Sequence, residues 1–244
     1  MRLIRVFYIF VGYALVKAGW SLPNRYNWHG VWSERGKKVD CTHVASVDGR
    51  PSEDEINAVN AVIQQITRLD LLRTDGMWLD VGVGSGLMHS LLKEKSAKST
   101  VSICCDYSLP SLCFCKKTHA LSVVNCSAEK LPFSSACFDF ILFYSVSHYL
   151  SRHKNLLAVI TEFERVLKPG GAILVGDVLS FQELHFEHFN PNWYYPNFRK
   201  VKRDIQKLSL DITAVRQPEC APYRAQRVDW VITKSGKFDD SEAT

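Results

Sequence analysis

Two acidic residues and three glycines in the middle of the chain have the types and spacing of a nucleotide-binding site. Asp80 stands near the end of an apolar run, Met77 to Val81, and the sequence continues Gly82-Val-Gly84-Ser-Gly86. A short apolar run predicts a buried parallel strand, and glycines at alternate positions allow a tight turn whose backbone can lie directly against a ligand. Leucine and methionine then recur at helical spacing, so this stretch predicts a strand, a turn and a helix.

A second carboxylate, Asp106, ends the next β-rich run, Thr100 to Cys105. Because the carboxyl ends of parallel strands meet at one edge of a sheet, we expect this side chain beside the glycine turn. A carboxylate there can accept hydrogen bonds from both ribose hydroxyls of a nucleoside. An alternative is that Asp106 caps the helix that begins near Leu109.

The glycine pattern distinguishes two kinds of nucleotide. The dinucleotide fingerprint Gly-x-Gly-x-x-Gly would place its third glycine where this chain has Leu87. Asp80 would also repel a pyrophosphate and favour a cation, such as the ammonium group of an amino acid. The observed acid-x-Gly-x-Gly-x-Gly resembles the first motif of the class I S-adenosylmethionine-dependent methyltransferases.

Two further segments support this resemblance. Asn125 to Phe133 is similar to the family's Asp-Ala-x-x-Leu-Pro-Phe, and Arg165 to Gly171, with Glu162 upstream, resembles its Arg-Val-Leu-Lys-Pro-Gly-Gly signature. The resemblance implies an α/β fold with a three-layer, Rossmann-like, seven-stranded sheet whose last strand is antiparallel, here with an N-terminal helical extension. It also implies S-adenosylmethionine as cofactor and methyl transfer as the reaction.

The resemblance assigns the cofactor-binding residues position by position. In the family, an Asp side chain binds the adenine amino group and the next backbone amide binds a ring nitrogen. Here Ser127 stands in the Asp position, Ala128 would act through its backbone, and Glu129 could replace the missing carboxylate. Tyr107 could stack beside the adenine or the ribose. The expected cofactor-binding residues are Asp80, Gly82, Gly84, Gly86, Asp106, Tyr107, Ser127, Ala128, Glu129 and Ser145.

The residues that handle the methyl acceptor are harder to predict, because transfer from a sulfonium needs alignment and the removal of a proton rather than activation of the donor. His148 lies in a segment that resembles a family turn beside the sulfonium, so it is either the general base or a residue that orders the loop. Asp177 and His185 are further candidate bases. The aromatic segment Phe181 to Phe198 is interpreted as an acceptor lid. The sequence has no cluster at metal-ligand spacing, so we expect a metal-free reaction.

The charge balance favours a small acceptor over a nucleic acid. The 244 residues carry a formal net charge of +5, which is too mild to require nucleic acid. Tyr144 to Ser147 also lacks the Asn/Asp-Pro-Pro-aromatic pattern of nucleic-acid amino methyltransferases. We therefore expect a small-molecule acceptor with an oxygen or nitrogen nucleophile. A weak similarity of Ser33 to Ser52 and Arg227 to Thr233 to bacterial methyltransferases of cell-surface glycan synthesis adds a sugar or glycan precursor to the options.

One catalytic domain is expected over residues 51–234, with 1–50 as an N-terminal extension or lid and 235–244 as a loose tail. The eight cysteines lack paired zinc-ligand spacing, which favours free thiols in the cytoplasm. Near the N-terminus, the apolar stretch Val6 to Val16 is too short to span a membrane, and no signal-peptide cleavage pattern follows it. It either packs on the domain, which we favour because its polar face holds few charges, or makes peripheral membrane contact as part of residues 1–19.

Two other functional classes stay open at this stage. A nicotinamide-dependent oxidoreductase would share the strand, turn and helix as well as Asp106, although Leu87 and Asp80 argue against it. A non-catalytic protein that retains the fold would share every feature of the donor site. The sequence does not indicate the oligomeric state.

Overall fold

The computed structural model describes residues 2–20, 26–37, 53–71, 76–96, 99–180, 184–222 and 224–234. Its helices are α1 (Arg2–Lys17), α2 (Trp28–Lys37), α3 (Glu53–Arg68), α4 (Leu87–Lys95), α5 (Leu109–His119), α6 (His153–Val166) and α7 (Phe198–Ile205). Its strands are β1 (Met77–Val81), β2 (Val101–Asp106), β3 (Val123–Asn125), β4 (Phe138–Tyr144), β5 (Leu167–Leu179), β6 (Leu210–Arg216) and β7 (Arg227–Lys234).

The seven strands form one sheet in the order β3-β2-β1-β4-β5-β7-β6. The pairings from β3 across to β5 are parallel, whereas β7 runs antiparallel to both β5 and β6. The predicted fold class, including the antiparallel last strand and the N-terminal helices, is therefore confirmed. The strand order reverses between β1 and β4, and in such sheets the carboxyl ends of the strands at this point form a ligand crevice.

The central strands are apolar because both of their faces are covered. Leu79 of β1, Ile141 and Phe143 of β4 and Val175 of β5 are completely buried, and Phe163 of α6 packs edge-on against Phe143 at 5.2 Å between ring centroids. Strands buried on both faces read as continuous hydrophobic runs rather than alternating ones. The glycine turn and the acidic strand ends are thus held on a rigid support.

The apolar run from Ala172 to Val178 predicts a fifth buried strand, and Lys168-Pro-Gly-Gly171 before it predicts the end of a helix. The observed strand is longer: α6 ends at Val166 and β5 begins at Leu167, so the Lys-Pro-Gly-Gly segment lies in the strand. Phe138 of β4 already pairs with Leu167, before a register shift in the ladder. A Cβ at Gly171 would lie 2.9 Å from the carbonyl oxygen of Asp139. Glycine is needed there because the neighbouring strand passes too close for a side chain.

Helix α1 packs on the domain by one face. Val16 is buried, and the Tyr13 hydroxyl donates a hydrogen bond of 3.1 Å to the Leu184 carbonyl. Phe189 and Tyr195 belong to the same apolar cluster. Among the described residues, no helix combines the length and hydrophobicity that crossing a bilayer would require. The predicted domain boundary near residue 50 and the tail from 235 fall outside the described residues, so both stay predictions.

Candidate functional site

A cavity of about 390 Å³ opens at the carboxyl ends of β1, β2 and β4. The glycine turn lies on one side of it, and residues of α2 and α3 lie on the other. The cofactor-binding candidates among the residues that line it are Asp80, Gly82, Gly84, Asp106, Tyr107, Ala128 and Ser145. The lining residues thus come from six separate stretches of the sequence and converge on one space.

The glycine turn is built from left-handed backbone. Gly82, Gly84 and Gly86 have φ values of +80°, +57° and +82°, a region that other residues adopt at a cost. A Cβ added at Gly84 would meet no atom within 4 Å, so the turn has open space above its middle glycine. A Cβ at Gly86 would lie 2.9 Å from the Cys115 sulfur. Gly84 therefore leaves room for a ligand, whereas Gly86 allows α4 and α5 to pack closely.

Asp106 holds the glycine turn in place with its carboxylate. One oxygen accepts a hydrogen bond of 3.1 Å from the Gly84 amide, and the other accepts one of 2.8 Å from the Ser108 amide. Burial raises the pKa of this carboxyl, and the same amide hydrogen bonds oppose the rise. The side chain thus fixes the backbone just before α5 and also lines the cavity. It is not the cap that the alternative predicted, because the N-cap residue of α5 is Ser108.

Asp80 has a neighbour that the sequence analysis missed. Its carboxylate is buried, and Oδ2 lies 3.3 Å from Nδ1 of His89 on α4. The other ring nitrogen of His89 lies 3.1 Å from the Ser102 hydroxyl, and its ring stacks on Trp78 at 4.3 Å. These contacts fix the histidine beside the acid, so Asp80 is held in one position. A lone histidine on a helix gives no sequence signal for this arrangement.

Aromatic side chains form the outer wall of the cavity. Trp32 of α2 lies 5.3 Å from Tyr149 between ring centroids, and both line the cavity. The Tyr107 hydroxyl donates a hydrogen bond of 3.3 Å to the Trp28 carbonyl, which ties α2 to the end of β2. This part of the N-terminal extension therefore contributes Trp32 to the lining of the cavity, and its role as a lid stays a prediction. Trp32, Tyr149 and Glu55 of α3 were not predicted as site residues, because nothing in the sequence indicates that they line the cavity.

Of the three residues predicted to contact the adenine, one lines the cavity and two are exposed. Ala128 lines the cavity. The neighbouring Ser127 and Glu129 are exposed, and the Ser127 hydroxyl accepts a hydrogen bond of 3.2 Å from the Glu129 amide. The Glu129 carboxylate instead accepts a hydrogen bond of 2.7 Å from the Asn155 side chain of α6. A cofactor role for Ser127 and Glu129 stays a prediction, and the contacts of their side chains give it no support.

His148 is buried next to the cavity wall rather than in it. Its side chain is 2% exposed, between the rings of Tyr149 at 4.1 Å and Trp193 at 5.4 Å. Burial, together with the positive charge of Arg227, lowers its pKa well below the usual value, so the imidazole is neutral at pH 7. Its carbonyl accepts a hydrogen bond of 2.9 Å from the Tyr194 amide. These contacts fit the alternative in which His148 orders its loop.

Asp177 is part of a buried ion pair. Its carboxylate lies 3.0 Å from the Arg227 guanidinium and accepts a hydrogen bond of 2.8 Å from the Ser145 hydroxyl. Burial raises the pKa of the Asp177 carboxyl, and Arg227 and Ser145 oppose the rise. The φ values of Ser145 and Asp177 are +58° and +59°, so two strand ends with strained backbone are tied together by their side chains.

The third candidate base, His185, lies on the exposed surface near α1 and is not among the lining residues. Within the described part of the chain, the cavity thus excludes all three predicted bases. The predicted acceptor lid lies behind the wall: Trp193 contacts His148, and the Arg227 guanidinium lies 5.2 Å from the Trp193 ring centroid. Tyr194 and Tyr195 are buried in the core. No group of His, Cys, Asp and Glu residues in the described ranges could hold a metal ion.

Residues 79–175 match the family model described as a methyltransferase domain. A probable tRNA methyltransferase 9B of Bos taurus is 33% identical over 96 residues, which is 39% of this chain and 20% of that protein. The chain therefore matches only about a fifth of the length of this curated relative.

Two solved structures share the fold at low sequence identity. The N-methyltransferase NodS of Bradyrhizobium japonicum, in complex with S-adenosyl-L-homocysteine, has a TM-score of 0.60 and 13% identity, over 86% of this chain and 100% of that one. A chain from the complex between the Haloferax volcanii Trm112 methyltransferase activator and a putative methyltransferase has a TM-score of 0.64 and 14% identity, over 84% and 98%. The present chain thus shares the fold of these methyltransferases, and its residues 79–175 match the methyltransferase-domain model.

Proposed function

We propose that this protein transfers a methyl group from S-adenosylmethionine to a small-molecule acceptor with an oxygen or nitrogen nucleophile. The observation that supports this most directly is the convergence of Asp80, the glycine turn and Asp106 on one cavity with open space above Gly84. A volume of about 390 Å³ lies in the range of small-molecule sites. The residues present therefore fit the cofactor.

Each part of the site has a distinct task in this proposal. Asp80 attracts the ammonium group of the methionine portion, and Asp106 accepts hydrogen bonds from the ribose hydroxyls. Tyr107 and the backbone of Ala128 contact the nucleoside. When bound, the cofactor supplies an electrophilic methyl group on sulfur. The aromatic wall keeps water out of the site and limits the approach of the acceptor.

Of the two roles predicted for His148, we propose that it orders the loop that carries Tyr149. Its ring is buried against Tyr149 outside the cavity, and burial lowers its pKa well below the usual value, which makes it a weak base. The Asp177 carboxylate is engaged by Arg227, so we assign it to positioning Ser145 at the cavity edge. His185 is the weakest candidate base because it is exposed and does not line the cavity. We therefore propose Glu55, which lines the cavity, as the residue that takes the acceptor's proton.

The functions of the relatives do not decide the acceptor. The tRNA methyltransferase of Bos taurus matches over only 96 residues, and the net charge of +5 is modest. We therefore keep a small molecule as the proposed acceptor, with sugars and glycan precursors among the options. We also propose the cytoplasm as the site of action, since free thiols suit a reducing compartment.

Titration calorimetry with S-adenosylhomocysteine and with NAD tests the donor assignment. We expect micromolar affinity for the former, roughly −8 kcal/mol at 1 μM, and no heat from NAD. Binding of NAD alone would favour an oxidoreductase. Incubation with isotopically labelled methyl donor and a metabolite extract, with bulk tRNA as a separate acceptor arm, then tests transfer. Tight cofactor binding without any labelled product would favour a non-catalytic role.

A further inference from the structure

The outer face of α1 is apolar although it is exposed. Phe7, Tyr8 and Phe10 are 65%, 71% and 59% exposed, and Trp20, just past the helix, is 67% exposed. The sequence from Val6 to Val16 contains no charged residue. The inner face is already occupied, because Val16 and Tyr13 pack on the domain. A helix that is apolar on all sides needs a second apolar surface to cover it.

The exposed aromatic area of these four residues is large enough for an interaction site and too small for a stable dimer. Aromatic side chains expose about 150–250 Å² each when fully accessible, so these four expose roughly 400–650 Å² together. A patch of that size on a monomer commonly marks an interaction site. A stable protein interface buries about 800 Å² on each partner, more than these side chains provide. The area therefore argues against a second copy of this chain.

The charges around the patch point to an anionic partner. Residues 2–20 contain three basic residues, Arg2, Arg5 and Lys17, and no acidic one. The Asn197 side chain donates a hydrogen bond of 2.7 Å to the Gly19 carbonyl, which places the start of α7 beside the end of α1. From Phe198 to Lys207 the chain has five basic residues and one acidic residue.

The single acidic residue of this stretch, Asp204, already has basic partners on α6 and just after α7. The Asp204 carboxylate lies 2.9 Å from His153 and 3.1 Å from the Lys207 ammonium. The side chains of Arg199, Lys200, Lys202 and Arg203 are exposed. An apolar, aromatic face next to a basic helix is the composition of a helix that lies in the interface of a membrane with anionic lipids.

We propose that α1 and Trp20 insert into the surface of an anionic phospholipid bilayer while the opposite face of α1 stays packed on the domain. The aromatic side chains enter the boundary between headgroups and acyl chains, and the basic residues of α7 contact the lipid phosphates. This attachment is independent of the proposed methyl transfer, because none of its residues lines the cofactor cavity. Packing on the domain and contact with a membrane are therefore compatible properties of one helix.

Co-sedimentation of the full chain with lipid vesicles tests the proposal. We expect binding to vesicles of phosphatidylcholine with phosphatidylglycerol, weaker binding at high salt, and little binding to pure phosphatidylcholine. The double variant Phe7→Ser/Tyr8→Ser should lower the partition coefficient at least about tenfold. Lys200→Gln and Lys202→Gln should each lower it about fivefold.

A matched control removes two exposed apolar side chains elsewhere. Val101 and Leu109 are 51% and 58% exposed, so Val101→Ser/Leu109→Ser should leave vesicle binding unchanged. Thermal melting of each variant checks that the domain is folded, and Trp20→Ser provides an independent probe if the Phe7 and Tyr8 variant unfolds. Equal binding to neutral and anionic vesicles, or no binding to either, would overturn the proposal. So would a dimer in light scattering that Phe7→Ser/Tyr8→Ser converts to a monomer.

Discussion

Replacement of Asp106 tests the central assignment of the donor site. Its two carboxylate oxygens accept hydrogen bonds from the Gly84 and Ser108 amides, and in our proposal their remaining lone pairs accept from ribose hydroxyls. Hydrogen bonds to a charged group contribute about 1.5–3 kcal/mol. Asp106→Ala should therefore raise the Kd for S-adenosylhomocysteine about 10- to 150-fold. Asp106→Asn keeps one acceptor oxygen, so its loss should lie near the lower end.

The same substitutions should affect folding, and the two effects must be separated. Asp106→Ala leaves two backbone amides without their acceptor, although it also removes the cost of burying the carboxylate. We expect the free energy of unfolding to fall by about 1–3 kcal/mol in total. Asp139→Asn is a matched control, because the Asp139 carboxylate also accepts a hydrogen bond from a strand amide, that of Met77 at 2.9 Å, and pairs with Lys168 at 2.7 Å. Asp139 is the second residue of β4, at the amino ends of the parallel strands, and it does not line the cavity.

Calorimetric titration below the melting temperature of each variant gives the Kd, and chemical unfolding gives the stability. We expect Asp139→Asn to lose stability but to bind S-adenosylhomocysteine normally, and Asp106→Asn to lose affinity. Wild-type affinity in Asp106→Asn, or an equal loss of affinity in Asp139→Asn, would refute the ribose assignment.

Three further predictions concern the glycine turn and the buried polar groups. Gly84→Ala and Gly86→Ala both place a side chain at positive φ, which costs about 1–2 kcal/mol of stability in each variant. Only Gly84→Ala should raise the Kd for S-adenosylhomocysteine at least about tenfold, whereas Gly86→Ala should have the lower melting temperature. A larger loss of affinity in Gly86→Ala than in Gly84→Ala would contradict the turn geometry. Arg227→Gln removes the cation beside Asp177, so unfolding by urea should show that the free energy of unfolding falls by about 3–5 kcal/mol. Adding Asp177→Asn to this variant should restore part of the lost stability. A single Arg227→Gln variant as stable as the wild type would show that the pair is not buried as described. Burial raises the pKa of Asp229 from 3.8 to about 6, so the folded protein holds a proton that the unfolded chain releases, and stability should fall by about 3 kcal/mol as pH rises from about 4 to 6. Asp229→Asn should flatten that pH dependence, and an unchanged slope in this variant would rule out Asp229 as its source.

The fold and the donor turn could be predicted because their signals are local. A short apolar run predicts a buried strand, and Gly82, Gly84 and Gly86 indicate a turn of left-handed backbone wherever the chain places them. Asp106 could be placed beside that turn because parallel strands end at one edge of the sheet. The boundary of β5 was predicted less well, since Lys-Pro-Gly-Gly resembles a helix stop and its pairing with Phe138 is a tertiary contact.

The sequence did not predict the directions in which the side chains of Glu129 and His148 point. Glu129 stands two positions past Ser127, close enough in sequence to replace its missing carboxylate, yet its side chain turns to Asn155 of α6. His148 follows β4, in the segment where the sequence predicted a general base, but packing buries its ring between Tyr149 and Trp193. Such outcomes depend on which neighbours fill the surrounding space.

The sequence by itself determined the order of strands and helices, the glycine turn and the two acids beside it, because backbone propensity and periodicity depend on residues that are neighbours in the sequence. Only the tertiary structure decided that Trp32 closes the cavity, that Arg227 neutralises Asp177, and that α1 keeps an apolar face exposed. Asp177 and Arg227 are separated by 50 residues, and such contacts form only when the sheet brings distant strands together. A sequence pattern indicates which secondary structure a segment prefers, and tertiary packing determines which side chains contact one another.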